Sequence, residues 1–376
     1  MKSPVVPVPH KGIRANVTGV LAELFLDASD ACRESSPLTR ALLVSAADDL
    51  AGGGVTARIM AGAECDRAAS APARRFASAV HRLVLEGRAP ALAGHYATVG
   101  GRLDAGAFWA DALPVLEEHA DDLHTVIASA AVPTDEPGRS SPLFGGLQTA
   151  THLAADAAGR RTGFPVRLLE VGASGGLNLR PHRVAYRVDD DLLGDRHSPF
   201  TLDAGWCGRP DADVTRNLRL VRRAGCDANP VDVSTVDGRL SLSAAVPGDR
   251  ADHYERLQAA FALALLDPVP VSRAAGPEWL AEQLARPERD VLTVVWHSLV
   301  WHHVSPADRA MGREVLAGAA ARATPMAPLA LLVYEPRRSG EHYELLLKLW
   351  PAGVSLRLGT GAPHGVPFTW DVRAWD

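Results

Sequence analysis

Residues 166–179 read VRLLEVGASGGLNL. Val166, Leu168, Leu169 and Val171 form a short apolar run directly after Pro165, the pattern of a strand buried in a parallel sheet. Glu170 interrupts that run just before the bend Gly172-Ala173-Ser174-Gly175-Gly176. Small residues let backbone N–H groups come close to a ligand, because no bulky Cβ stands in the way. A carboxylate beside such a bend can accept hydrogen bonds from a sugar hydroxyl or an ammonium group. The expectation is an acid and a glycine turn at the open carboxyl rim of a wound sheet, facing a nucleoside-sized hollow.

Outward from this stretch the texture differs on the two sides. Before it, alanine and leucine recur at helical spacing over 17–32, 38–50, 73–85 and 107–131, and β-branched runs are scarce. Ser36-Pro37 reads as an N-cap followed by proline, Asp104 as a cap for the fourth helix, and Gly52-Gly53-Gly54 as a break. The proline- and serine-rich joint PTDEPGRSSP, 133–142, leads into a helix over 143–158. After Pro165, short apolar strands alternate with helices, as in an open, mostly parallel α/β sheet. Strands are expected at 166–170, near 218–221, at 269–272, 291–296 and 329–334, with a terminal hairpin over 341–350 and 354–358. Helices are expected over 252–266, 278–285 and 305–322. The segment 183–208, with its turn Asp189-Asp190-Asp191, reads as an insertion of one or two strands. The fold expected is α/β: an N-terminal all-helical domain, residues 1–160, and a Rossmann-like sheet domain, residues 161–376.

A chain of 376 residues has room for two domains, and 47% apolar with 22% charged residues is ordinary for a globular protein. A net charge of −5 without a basic run gives no reason to expect nucleic acid, and a small-molecule substrate is the simpler expectation. Cys32, Cys65, Cys207 and Cys226 form no C-x-x-C pair, which argues against a zinc knuckle or disulfide framework and suits a reducing cytoplasm. The N-terminal MKSPVVPVPHKG does not read as a signal peptide, and no run of 18 apolar residues suggests a membrane span.

Glu170, Gly172 and Gly176 fill the pattern Glu/Asp-x-Gly-x-x-x-Gly, and the segment resembles motif I of the class I S-adenosylmethionine-dependent methyltransferases. The resemblance implies S-adenosylmethionine as cofactor, its methionine part against Glu170 and the 172–176 backbone, with Ser174 and Asn178 alongside. Asp227 in Gly225-Cys226-Asp227-Ala228-Asn229-Pro230 resembles the acid that ends the second strand of such sheets, which would hold the ribose with Asn229 beside it. Gly176 and Asp227 are 51 positions apart, where about 20 is usual, so Asp189, Asp190 or Asp191 is the alternative ribose acid. Another alternative for Asp227 is an Asx-turn. His297-Ser298, at the end of the 291–296 strand, resembles motif IV. A neutral imidazole there suits a general base for a hydroxyl or amine, with Ser298 against the cofactor. Glu335 ends another strand, as a site acid or as a solvated terminus. His302 and His303 follow closely, but their spacing does not favour a metal.

Gly172 to Gly176 also satisfies G-x-S-x-G, a hydrolase nucleophile elbow with Ser174 as nucleophile. Asp267 and His364 would then complete the triad, and Gly52-Gly53-Gly54 would supply the oxyanion loop. A non-catalytic nucleotide-binding protein that keeps the fold is the third alternative. G-x-G-x-x-G is not met, because Ser174 takes the second glycine place.

Taken whole, the chain resembles the actinobacterial family of unknown function numbered 2332 among domains of unknown function. The resemblance rests on Ser36-Pro37-Leu38, His81 with 83–85, Ala93-Gly94-His95-Tyr96, 134–139, 168–179, Asp227 to Pro230 and His297-Ser298. It implies a methyltransferase-like sheet with a helical companion, His95, Tyr96, Glu136 and Arg139 shaping the acceptor side. The chain departs from the family at Asp135, where Asn is usual, and at Pro137. The third strand, read as leading into Ser272-Arg273-Ala274-Ala275-Gly276, lacks the acid that usually contacts adenine.

Overall fold

A computed structural model describes residues 11–63, 71–129, 132–210, 212–214, 218–337 and 342–375. Cys65, Ala131 and Glu341, and most of the N-terminal segment, lie outside the described residues. By contacts the chain forms two compact units, Met1–Thr134 with Arg239–Glu255, and Asp135–Gly238 with Arg256–Asp376. The expected division near 160 therefore differs from the contact boundary, because the joint from Asp135 onward and the helix that follows it pack within the second unit.

The first unit contains α1 (Lys11–Ala31), α2 (Pro37–Ala51), α3 (Val55–Ile59), α4 (Pro72–Leu85), α5 (Pro90–Ala93), α6 (Phe108–Glu118) and α7 (Ala120–Ser129). Their apolar faces meet in a core that includes Phe25, Leu42, Phe76, Val80, Phe108 and Leu116. Each fully buried side chain of this kind stabilises by about 1.5–3 kcal/mol. Ser36 caps α2: its Oγ accepts from Thr39 N at 3.1 Å and donates to Asp249 Oδ1 at 2.5 Å. Asp249 Oδ2 also accepts from Leu38 N at 2.8 Å, so a carboxylate faces the positive end of the helix. Asp104 Oδ1 accepts from Gly106 N and Ala107 N at 2.9 and 3.3 Å, a turn immediately ahead of α6. The single helix expected over 107–131 is interrupted at His119, which leaves helical dihedrals (φ −106°, ψ 16°), its ring 3.2 Å from Arg88 O.

The second unit begins with α8 (Ser140–Ala157) and β1 (Val166–Val171), followed by β2 (Ala185–Val188), β3 (Asp191–Gly194), β4 (Thr201–Asp203), β5 (Trp206–Cys207) and β6 (Leu220–Asp227). α9 (Val236–Ala244) and α10 (Ala251–Leu266) carry the chain across the unit boundary and back. Then come β7 (Val271–Arg273), α11 (Gly276–Gln283), β8 (Leu292–Ser298), α12 (Pro306–Arg322), β9 (Leu329–Pro336), β10 (Tyr343–Trp350), β11 (Val354–Gly361) and β12 (Phe368–Ala374). A nine-stranded sheet has the order β5-β12-β11-β10-β9-β8-β1-β6-β7, and β3-β2-β4 form a separate small sheet. β7, β6, β1, β8 and β9 are parallel neighbours, while β9 to β12 run antiparallel. The expected 183–208 insertion is therefore the small sheet plus β5, and β12 is a strand the sequence reading did not place.

The winding direction reverses between β1 and β8, the position at which open α/β sheets hold ligands beyond their carboxyl ends. Side chains alternate along β1. Leu169 and Val171 join Val295, Trp279, Leu280 and Ala319 in a core with α11 and α12. Glu170 and its register partner Trp296 face the other way. α8 covers that face at close range: a Cβ on Gly146 would come within 3.1 Å of Leu332. Cys32, Cys207 and Cys226 are free thiols, and among the described residues no helix is long and apolar enough to cross a membrane.

Candidate functional site

The bend after β1 is built by its own backbone needs. Gly172 (φ 73°), Ser174 (φ 50°) and Gly176 (φ 69°) all take left-handed dihedrals, which cost glycine little and serine more. Gly172 N and Ala173 N donate to Cys226 O at 2.9 and 3.0 Å, tying the bend to the end of β6. Asp227, the last residue of β6, accepts from Ser174 N at Oδ2 (2.9 Å) and from Asn229 N at Oδ1 (2.8 Å). The acid expected at the ribose position thus stands beside the glycine turn, as a brace for it. Asp189 and Asp191 stand elsewhere, around the β2–β3 turn, where both pair with Arg209.

Asp135 sits on the bend. Its Oδ2 accepts from Gly175 N at 3.0 Å and Leu177 N at 3.2 Å, and its Oδ1 from Asn178 Nδ2 at 3.3 Å. Asn178 is itself held by Ser140 Oγ (2.9 Å) and Glu136 O (3.2 Å). Glu170 is only 3% exposed, and its Oε2 has no hydrogen bond of good geometry, nor has the Trp296 indole N–H, whose attraction still reaches the carboxyl. The expected open hollow is therefore not what stands here: residues 173–180 are all buried, and a Cβ on Gly172 would lie 2.4 Å from Val300 Cγ2. The physical reason is Asp135, a carboxylate from the chain itself filling the ring of N–H donors.

Burial raises the Asp135 pKa from 3.8 to about 7, against the pull of the Leu177 N–H, Arg139 and the Gly175 N–H. Burial, and then the Asp135 charge, raise Glu170 well above the ordinary carboxylate range; Trp296, Arg139 and Arg180 offset only part of this. Glu136 is the contrast. Burial pushes it up too, but the His364 hydrogen bond (2.8 Å), Arg256 (3.0 Å) and the Gly138 N–H win, and its pKa falls to about 2. One buried acid is thus firmly ionised, and its chain neighbour is poised near neutrality.

Beyond β8 and β9, His297 Nδ1 lies 2.9 Å from Glu335 Oε1, which also accepts from Val300 N (3.0 Å) and Trp301 N (3.1 Å). Burial raises Glu335, but His297 and those two N–H groups overcome it and hold its carboxyl below the usual range. The imidazole stacks on Trp301, with centroids 5.4 Å apart. Arg139 reaches Ser298 Oγ at 3.4 Å and Pro363 O at 3.1 Å. The second unit therefore brings Glu335 to His297 and Arg139 to Ser298. His95 and Tyr96 belong to the first unit, where both are buried. His95 lies between Asp111 Oδ2 (2.9 Å) and Asp104 N (3.1 Å), and Tyr96 packs against His81 at 5.3 Å between ring centroids.

The hydrolase set is not assembled. Ser174 Oγ is buried without a partner, both Asp267 oxygens are held by Arg223 (2.6 and 2.9 Å), and His364 Nδ1 is on Glu136. At the end of β7 the position read as lacking an acid carries Arg273, which binds Ala228 O and Asn229 Oδ1, each at 3.0 Å. Asn229 is thereby committed to the chain. The sequence reading missed Asp135 as a site residue, although its replacement of a usual Asn was visible. It also missed Arg180, 1% exposed, which clamps the bend through Gly176 O at 2.7 Å and Asp267 O at 2.5 Å. An arginine after an apolar Leu-Asn-Leu run was the only signal for it.

No curated protein and no solved structure matches the chain. The family described as "Uncharacterized protein conserved in bacteria (DUF2332)" matches over residues 22–370, nearly the full length, and the chain belongs to that family.

Proposed function

We propose that the second unit binds S-adenosylmethionine and transfers its methyl group to a small or medium-sized acceptor. The observation that carries this reading is the carboxylate already in the bend: Asp135 on the Gly175 and Leu177 N–H groups, within electrostatic reach of a buried Glu170 with an unpartnered oxygen. An amino-acid zwitterion needs that combination, N–H donors for its carboxylate and an acid for its ammonium group. Burial disfavours a charge on Glu170 unless a cation offsets its cost, so the orphan oxygen fits a cationic guest. Five parallel strands that reverse their winding beside Glu170 suit a Rossmann-like sheet of the methyltransferase type.

In this reading Asp135 closes the cradle of the free protein and must leave it for the cofactor to enter. The bound sulfonium would supply an electrophilic methyl group. Glu335 holds the His297 Nδ1 proton, which leaves Nε2 as the ring's acceptor for a proton from an acceptor hydroxyl or amine. Ser298, joined to Arg139, stands at the end of the same strand as a polar contact.

Isothermal titration with S-adenosylmethionine tests the reading. Wild type should bind, Glu170→Gln should bind at least tenfold more weakly, and Asp135→Ala, which empties the cradle, should bind more tightly. Absence of heat for folded wild type and for folded Asp135→Ala would remove the proposal.

A further inference from the structure

On the face of β1 opposite Glu170, a cavity of about 430 Å³ is lined by Arg167, Leu169, Arg222, Pro268, Val269 and Gln283 among others. That volume is within the ordinary range for a small-molecule site, roughly 300–1,000 Å³. Its origin is a gap in the sheet. β6 pairs with β7 only over Gly225–Asp227, and from Leu220 to Ala224 the outer edge of β6 has no strand neighbour among the described residues. Pro268, Val269 and Pro270, just ahead of β7, line the space beside that edge, which stays partly open to solvent.

Charge gives the pocket its chemistry. Arg167 and Arg222 are register partners on adjacent strands and project to the same face, an arrangement of like charges that costs stability unless it is neutralised. Arg222 has a carboxylate partner in Glu288. Arg167 has only a neutral one: its Nη2 donates to Gln283 Oε1 at 2.7 Å, and among the described residues no carboxylate lies within ion-pair distance. Burial, and then the Arg222 charge, lower the Arg167 pKa. Arg223, the next residue of β6, is spent on Asp267 through two bonds.

We infer that this cavity is a binding site for a small organic anion, an oxyanion on an apolar body, with the Arg167 guanidinium as its anchor. The planar fork of Arg167 matches a carboxylate or phosphate in two parallel bonds. Val269 and Pro268 offer a surface to the apolar body. The site is separate from the glycine bend and does not depend on the methyl-transfer reading.

Titration calorimetry of the full chain with phenyl phosphate, benzoate and, as the uncharged control, benzyl alcohol tests the inference. At least one of the two anions should bind, and the arm that binds identifies the oxyanion. Arg167→Gln should weaken that binding tenfold or more, Arg167→Lys less, and Val269→Trp, which fills the cavity, should abolish it. Failure of both anions to bind wild type, equal binding by folded Arg167→Gln, or equally tight benzyl alcohol would overturn it.

Discussion

Replacing Asp135 by Asn separates a structural brace from a charge held at a cost. In the folded chain this carboxyl titrates near 7 instead of 3.8. An acid whose folded value is raised binds more protons folded than unfolded between those two values. Stability is therefore fully present below about pH 4 and is lost as pH rises through about 7. The difference corresponds to a loss on the order of 4 kcal/mol. Asn keeps one oxygen for the Gly175 and Leu177 N–H groups but turns an amide towards the Asn178 amide, forfeiting one bond of about 1 kcal/mol. The variant should thus be about 1 kcal/mol less stable than wild type at pH 3, where the wild-type carboxyl is protonated in both states, and about 3 kcal/mol more stable at pH 8. Urea unfolding followed by tryptophan fluorescence at both pH values measures the crossover. A variant destabilised equally at both would show that Asp135 is ionised cheaply, and the account of the filled cradle would be wrong.

Three further outcomes follow from the same geometry. Gly172→Ala should cost about 1–2 kcal/mol from its left-handed dihedral plus a clash with Val300, and Val300→Ala should recover the clash part alone; simple additivity in that double-mutant cycle would contradict the contact. Ser36→Ala should destabilise by about 1–2 kcal/mol, because α2 loses its cap and Asp249 a donor; a change below a few tenths in urea unfolding would count against the cap. Glu335, held below its ordinary 4.5, contributes stability that is present above that value and lost as pH falls through its lower folded one. Glu335→Gln should therefore unfold with less acid dependence than wild type below pH 4.5, and matching acid transitions would refute the link to His297.

What could be read from the sequence depended on the range of the interaction. β1 and β8 were legible because an apolar run ending in glycine or polar residues needs no distant partner to be recognised. The extra strand β12 was not: Phe368, Trp370 and their neighbours alternate, but Pro367 and Gly365 read locally as loop, and the strand exists by pairing with β11. The break at His119 was invisible because the residues on either side continue a helical pattern. At the site, Asp227 could be placed by its neighbours, whereas Asp135 lies some 40 residues from the bend and no spacing rule connects them. The sequence made it look like a feature of a joint; only the fold puts it on the Gly175 N–H.

The distribution of costs around the bend bears on which reading of the second unit deserves the first experiment. A scaffold whose sole task is to be stable gains nothing from Glu170, whose unpartnered buried oxygen costs about 1–3 kcal/mol, where a leucine or glutamine would serve. Asp135 adds a second buried acid against the first, raising Glu170 further. Ser174 carries a left-handed φ and an unpartnered Oγ of its own, but the acid and the histidine expected at the triad positions are spent on Arg223 and Glu136. Strain of that kind persists where the surroundings hold it for a purpose. In the proposed reading the ammonium group of S-adenosylmethionine would meet Glu170, and its carboxylate would take the Gly175 and Leu177 N–H groups that Asp135 gives up.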